Sequence, residues 1–277
     1  MRAIEKIREA LRQWDEQPMA EESIHQLRVC TKRLRAFLRV YPNDLDSVSA
    51  THELKLLADS YAGLRDAQVS YATLNALISS WSDKKRKKHR AVIDFVAHQK
   101  RQVEHTTEPV EPHVALEQVL LKWPQLDASA NGSGISEAGM RRLYRKARAL
   151  GLKALQSNLD EDFHAWRKWV KYWLYCLTEL SAVKVPVSYR KRLRRLGDSL
   201  GMFHDVCVLE EILKSPDVYH EFGNGLKPFY KLIRTEKKRM KKSYKKAFKK
   251  LFKVSRSEMD RLLGEQAASS SDHHGSD

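Results

Sequence analysis

Apolar residues recur at spacings of three and four along almost the whole chain, and no stretch alternates with the period of two that a half-buried strand shows. The pattern predicts helices near 3–17, 22–41, 49–79 and 82–105, then four more near 137–158, 161–183, 188–214 and 226–263. Pro18 and Pro42 close the first two, and Pro186, Pro216 and Pro228 stand at later joints, where a residue without an N–H donor interrupts a helix. Between the two sets, residues 106–136 are poor in positive charge and rich in Pro, Gly, Ser and Asn around a short apolar piece at 114–123, and they read as a linker. Residues 264–277 read as a disordered tail.

Four helices, a linker and four helices suggest a duplication. An offset of 139 aligns His25 with His164, Arg28 with Arg167 and Lys32 with Lys171. Without a gap, Leu57, Asp59, Ser60, Asp66 and Val69 then meet Leu196, Asp198, Ser199, Asp205 and Val208. Over residues 25–74 this offset gives 13 identities, against roughly 3 by chance at ordinary residue frequencies. The matches are largely polar, which a generic helical pattern does not produce. The expected fold is all-α, with residues 1–105 and 137–263 as two repeats related by a pseudo-twofold axis.

The first repeated segment, HQLRVCTKRLRAFLR, places His25, Arg28, Lys32, Arg35 and Arg39 at spacings of 3, 4, 3 and 4. At 100° per residue these positions share an arc of about 80° and run for about 21 Å, while Leu27, Leu34, Phe37 and Leu38 take the other face. The second copy keeps His164, Arg167 and Lys171 but has Leu174 and Thr178 in place of Arg35 and Arg39, amid Trp166, Trp169 and Trp173. The next helix of each half carries a second stripe, His52, Lys55, Asp59, Ala62, Asp66 and then Lys191, Arg194, Asp198, Gly201, Asp205. The small fourth residue leaves room for close helix approach. Asp59, Asp66, Asp198 and Asp205 are expected to accept hydrogen bonds from ridge cations and hold their rotamers, without touching an anionic ligand.

Composition sharpens this picture. With 51 Lys and Arg against 35 Asp and Glu the chain carries +16, which points to a polyanionic partner. No apolar run approaches the ~20 residues of a membrane span, and the N-terminus lacks the apolar core of a signal peptide. Cys30, Cys176 and Cys207 form no CxxC pair and are odd in number. They predict neither a disulfide framework nor a zinc site, and a reducing cytoplasm is the default. A row of cations one helical turn apart matches a chain of phosphates: Arg offers a planar fork, Lys a compact charge, and His donates in either protonation state. Two such ridges facing each other would line a basic trough or pore, with His52, Lys55, Lys191 and Arg194 of the second stripes and Arg33 beside the first ridge added to the binding set.

The pattern HxxRxxxKRxR, repeated and followed by a helix of the LxxxxGxxxD type, resembles the CHAD domain, the conserved histidine α-helical domain. The resemblance covers residues 1–263. It falls on His25, Arg28, Lys32, Arg33, Arg35, His164, Arg167 and Lys171, and in the later helices on Arg65, Asp66, His204 and Asp205. It implies two four-helix bundles around a basic central surface, binding of inorganic polyphosphate without catalysis or cofactor, and association with polyphosphate granules. Leu174 departs from the ridge pattern. Nothing in the chain looks like the CYTH triphosphatase domain to which some CHAD domains are fused.

Bland readings stand beside these. A charge stripe alone is usually a solvated helix face, and it is the repetition at offset 139 that favours a site. The run KKRKKHR at 84–90 is as well explained as a solvated helix start. The last helix, with thirteen Lys or Arg and only Glu236 as an acid over 227–253, keeps an apolar seam and ranks second as a polyanion surface. Trp166, Trp169 and Trp173 read as core or interface. The alternative functions are a protein that holds nucleic acid without sequence preference and, more remotely, a metal-dependent polyphosphate hydrolase. For the first, no helix-turn-helix, zinc finger or aromatic RNA-binding motif is visible. For the second, His204–Asp205 lacks the further ligands a metal centre needs, and Arg65–Asp66 replaces it in the other repeat.

Overall fold

The computed structural model describes residues 2–40, 45–106, 111–128, 137–179 and 185–253. Every regular element among them is helical. The elements are α1 (Arg2–Glu16), α2 (Glu21–Leu38), α3 (Leu45–Ser60), α4 (Ala62–Leu77), α5 (Asp83–Lys88), α6 (Arg90–Thr106), α7 (His113–Ala128), α8 (Glu137–Ser157), α9 (Asp160–Glu179), α10 (Val187–Leu213), α11 (Pro216–Phe222) and α12 (Lys227–Leu251), with a 3-10 turn at Gly223–Leu226.

Apolar backs assemble these helices into one main core that runs through both halves of the chain. Leu27, Leu34 and Phe37 of α2 lie in the same cluster as Trp166, Val170, Trp173 and Leu177 of α9, and Tyr144, Phe248 and Phe252 join from α8 and the end of α12. The thiol of Cys176 donates to the carbonyl oxygen of Ala36 across the α2–α9 contact, at 3.4 Å. A smaller cluster under α4 and α6 (Leu74, Ile78, Val92, Val96) is shared with Val206, Leu209 and Leu213 of α10 and Phe229 and Ile233 of α12. Trp166 and Trp173 are fully buried, as core tryptophans are.

Several elements differ from the periodicity: the helix expected over 82–105 is two, α5 and α6, meeting at His89, and α11 forms where no helix was expected. The helix expected over 49–79 is two, broken at Tyr61, whose backbone sits at φ −100°, ψ 11°. Its buried ring meets Trp14 edge-on at 5.5 Å, and Ser60 Oγ bonds back to the carbonyl of Leu57 at 2.8 Å, a local bond that competes with the helix. The segment expected as a linker contains α7: Leu116 and Val119 are buried, and His113 at its start pairs with Glu111 and reaches Asp15 of α1 at 3.3 Å. Pro124, inside α7, concealed it from a periodicity reading. The helix expected to run to 263 is described only to Leu251, and the remainder of that expectation, with the tail at 264–277, lies outside the described residues.

Two turns carry the only left-handed non-glycine backbones among the described residues, Met19 at φ 65° between α1 and α2 and Asn158 at φ 57° between α8 and α9. Where the end of α2 meets the start of α8, Gly139 lies so close that a Cβ built on it would fall 2.3 Å from the carbonyl oxygen of Val40. Arg142 of α8 also donates to the carbonyl of Arg39, at 2.6 Å. The halves therefore meet backbone to backbone there.

Gly139→Ala should force α8 off α2 and lower stability by about 1–3 kcal/mol. Gly63→Ala, at an open helical position, should be neutral or stabilising by up to about 1 kcal/mol. Urea midpoints of the two variants read the difference, and equal behaviour would remove the close approach as a constraint.

Candidate functional site

The polar faces of α2 and α9 enclose a cavity of about 380 Å³. His25, Arg28, Val29, Lys32 and Arg35 enter it from α2, and His164, Arg167, Lys168, Lys171, Tyr172 and Tyr175 from α9. Lys55, Ala58 and Asp59 of α3, Arg65, Asp66 and Val69 of α4, and His204 and Asp205 of α10 complete it. Eight Lys and Arg thus face three Asp. Amphipathy explains the arrangement: the residues about half a turn around α2 and α9 from this lining are the apolar ones that fill the main core.

Most of these cations lack a counter-ion. Lys171 Nζ pairs with Asp198 Oδ1 at 2.7 Å, and Arg65 Nη1 lies 3.8 Å from Glu21. Arg28, Lys32, Arg35, Lys55, Arg167 and Lys168 make no ion pair among the described residues. Arg28 is held instead by backbone: its Nη1 donates to the Ala58 carbonyl at 2.7 Å, in the last turn of α3 before the break. The Nε atoms of Arg35 and Arg167 are buried without a hydrogen-bond partner, the kind of unsatisfied donor that folded proteins rarely leave unexplained.

Crowding shows in the titration of the site. Burial, then Arg167, Arg28, Arg65 and Lys171, push the Lys32 ammonium down to about 7. Burial and the neighbouring Lys168, Arg167 and Lys32 push His164 down to about 4. Burial, Arg167 and His164 take His204 to about 3. His25, Arg28 and Lys168 are also lowered, burial leading in each case. Burial raises the Asp66 and Asp205 carboxyls despite the pull of the surrounding cations. The Nδ1 atoms of His164 and His204 lie 2.9 Å apart, so a single proton serves the pair and a second would drive the rings apart.

The cavity brings together His25, Arg28, Lys32, Arg35, Lys55, His164, Arg167 and Lys171 from the sequence-derived set, with Asp59, Asp66 and Asp205. Five expected binding residues lie outside its lining. Arg39 stacks its guanidinium on Trp169 at 5.2 Å and on Tyr172 at 4.8 Å, and Arg33 sits 5.7 Å from the Tyr175 ring. His52, Lys191 and Arg194 are exposed. Lys191 and Arg194 lie 14 and 11 residues before Asp205, about 21 and 16 Å up α10, and neither is part of the lining, although the charge of Arg194 acts on Tyr175. Of the four aspartates expected to fix cations, Asp198 does so through Lys171. Asp59, Asp66 and Asp205 make no ion pair or hydrogen bond among the described residues and act through their fields. A Cβ on Gly201 would meet Arg167 Nε at an ordinary 3.8 Å, so close approach does not demand glycine there.

Lys168, Tyr172 and Tyr175 are absent from the sequence-derived candidates, and Arg65 and His204 enter them only through the family resemblance and as a discounted metal dyad. Lys168 falls 40° beyond His164 on α9, at the edge of the ridge arc. Arg65 and His204 are themselves 139 apart, a signal that unlike residue types concealed. No group of three or more His, Cys, Asp or Glu among the described residues is placed to hold a metal ion. No helix among them is long and apolar enough to cross a membrane.

The family model described as the CHAD domain matches residues 2–214. Residues from 215 onward, including α11 and α12, lie beyond that match. The fold is similar to the crystal structure of the CHAD domain from the plant Ricinus communis, with a TM-score of 0.54 and 17% sequence identity over 92% of this chain and 89% of that one. At that identity the likeness shows the fold alone. A search of curated proteins finds no match.

In the anion-free protein the His164 and His204 rings should stay neutral down to pH 5, read from their ring-proton and nitrogen shifts in an NMR titration. A midpoint above pH 6 for either ring would contradict the crowding of cations around them.

Proposed function

The chain belongs to the CHAD domain family, and we propose that its central cavity binds inorganic polyphosphate without catalysis. The observation that carries this reading is the enclosure of eight Lys and Arg with three Asp in a cavity of about 380 Å³, within the size range of small-molecule sites. Unneutralised cations in a half-buried cavity repel one another, and a chain carrying a negative charge on every unit relieves that repulsion along its whole length. Bare phosphate is favoured over nucleic acid by the aromatics. Tyr172 and Tyr175, the tyrosines at the cavity, have Arg39 and Arg33 over them, so one face of each ring is already taken from a base that would stack there.

We further propose that the site arose by internal duplication, residues 1–105 and 137–263 being two helical repeats around the basic centre, of more helices each than the four expected from the periodicity. Six pairs of lining positions support this at the same offset: 25 and 164, 28 and 167, 29 and 168, 32 and 171, 65 and 204, 66 and 205. The left-handed turn residues Met19 and Asn158 are also 139 apart. Association with polyphosphate granules in the cytoplasm follows as the cellular consequence of such binding.

Replacing Arg28 and Lys32 together by Gln removes two charge-assisted contacts, each worth about 1.5–3 kcal/mol. Affinity for tripolyphosphate should fall at least about a hundredfold, as isothermal calorimetry would read. Unchanged affinity would move the site elsewhere.

Binding should also take up protons. Lys32 is pushed down to about 7 in the empty cavity, and bound phosphate favours its charged form. The ligand therefore draws a proton onto Lys32 from pH 7 upward, and affinity declines as pH rises from 7.5 to 9.5, by at most about tenfold per pH unit per proton. Lys32→Arg, charged throughout, should flatten that decline. A wild-type affinity constant over this range would refute the coupling.

A further inference from the structure

We propose that an exposed ridge on α12, formed by Lys231, Arg234, Lys238, Lys242, Lys245 and Lys249, is a second docking surface for extended inorganic polyphosphate. It engages chains too long for the central cavity, and the proposal rests on the polyphosphate reading of that cavity.

At 100° per residue the six positions fall in an arc of about 80° and extend for about 27 Å along the helix, the same arc as the ridge of α2. All six are exposed, and none makes an ion pair among the described residues. The opposite side of α12 is anchored. Phe229, Ile233, Met240, Tyr244, Phe248 and Leu251 are buried. Lys237 is held between Asp160 and Glu210, and Lys241 pairs with Asp160 at 2.9 Å and donates to the Asn158 carbonyl at 2.6 Å. The two acids beside the ridge are thereby consumed by the two inner lysines. The outer cations remain unopposed on a fixed helix.

Between the ridge and the start of α9 runs an open groove of about 680 Å³, bordered by Arg234, Lys238, Lys242 and Lys245 and floored by Leu155 and Phe163. Like charges three and four residues apart destabilise a helix, and here nothing in the described protein offsets them. The class of ligand follows from what the groove lacks. The Phe163 ring is buried, so no base can stack, and a single arginine among five lysines provides point charges and few planar forks. A chain of closely spaced unit charges fits this surface. The ridge lies beyond residues 2–214, which the family model matches, so the match itself carries no part of this proposal.

The experiment compares the full chain with a variant carrying Gln at all six ridge positions, circular dichroism confirming that the exposed substitutions leave the fold intact. The probes are tripolyphosphate and long-chain polyphosphate. Tripolyphosphate affinity should be unchanged, and long-chain affinity should drop at least tenfold. The slope of log affinity against log salt should shrink by roughly four, from ~0.7 per neutralised phosphate on a flexible chain. A companion variant with Arg at the five lysines should keep both affinities. Long-chain affinity within twofold of wild type, or an equal loss for both probes, would overturn the ridge. Displacement of long-chain polyphosphate by single-stranded DNA at equal phosphate concentration would overturn the assigned class. If Arg28→Gln with Lys32→Gln leaves tripolyphosphate binding intact while the ridge variant loses the long chain, the cavity reading fails and the ridge stands.

Discussion

Mutual repulsion among the cavity cations is the constraint around which the structure is built. Positions three and four apart on a helix lie about 5–6 Å from one another. Two unit charges about 6 Å apart repel by about 3 kcal/mol at an effective dielectric near 20. α2 and α9 each carry several such charges and are nevertheless turned face to face. What holds them is behind the ridges: Leu27, Leu34 and Phe37 on one helix and Trp166, Val170 and Trp173 on the other, all buried in one core. Burying each large apolar side chain contributes roughly 1.5–3 kcal/mol. The core therefore opposes the repulsion, and the cavity stores it. Lowered Lys32, His164 and His204 and raised Asp66 and Asp205 are expressions of that stored field and of burial together.

How the cations are held follows from the same constraint. Pairing each with a carboxylate would relax the field, and the protein does this sparingly, at Lys171 with Asp198 and weakly at Arg65 with Glu21. Arg28 is instead oriented by a backbone carbonyl exposed near the break at Tyr61. A neutral acceptor fixes the guanidinium without cancelling its charge. On α12 the opposite choice is made for Lys237 and Lys241, whose charges are spent on Asp160 and Glu210 to fasten the helix. The division between cations that fasten and cations that remain open is thus set by what each one faces.

The sequence made the helical class, the positions of α1, α2, α8, α9 and α10 and the facing ridges legible, because amphipathic periodicity and the 139 offset are both local or repeated signals. It could not show which members of a polar stripe reach a common space. His52, Lys191 and Arg194 share the angular register of Asp59 and Asp205 but sit further along their helices and are not part of the lining, and angle alone carries no axial distance. Arg33 and Arg39 turn onto Tyr175 and onto Trp169 and Tyr172, partners distant in sequence. The break at Tyr61 and the helix α7 were hidden for a related reason. One depends on a tertiary contact with Trp14 and a local Ser60 bond, the other on burial of Leu116 and Val119 beside α1 and α3.

The inequality of the two halves bears on how such a site is balanced. Where α2 has Arg35, α9 has Leu174, and Leu174 is buried in the core. Read alone, this leaves the second half weaker. The cavity shows a compensation at a different position: α2 contributes Val29 where α9 contributes Lys168, 139 residues on. Each helix thus brings three Lys or Arg to the space, Arg28, Lys32 and Arg35 from one and Arg167, Lys168 and Lys171 from the other. The positions differ by six residues, about one and two-thirds turns of the helix, while the number of charges is the same. The field inside the cavity depends on how many cations enter it far more than on which residue carries each. A helix that loses a ridge cation to the core can restore the balance from a neighbouring position on its edge. By the same logic Arg65 and His204, unlike in type, occupy matching places beside Asp66 and Asp205. There one half places a permanent cation, and the other a histidine that burial and Arg167 hold neutral.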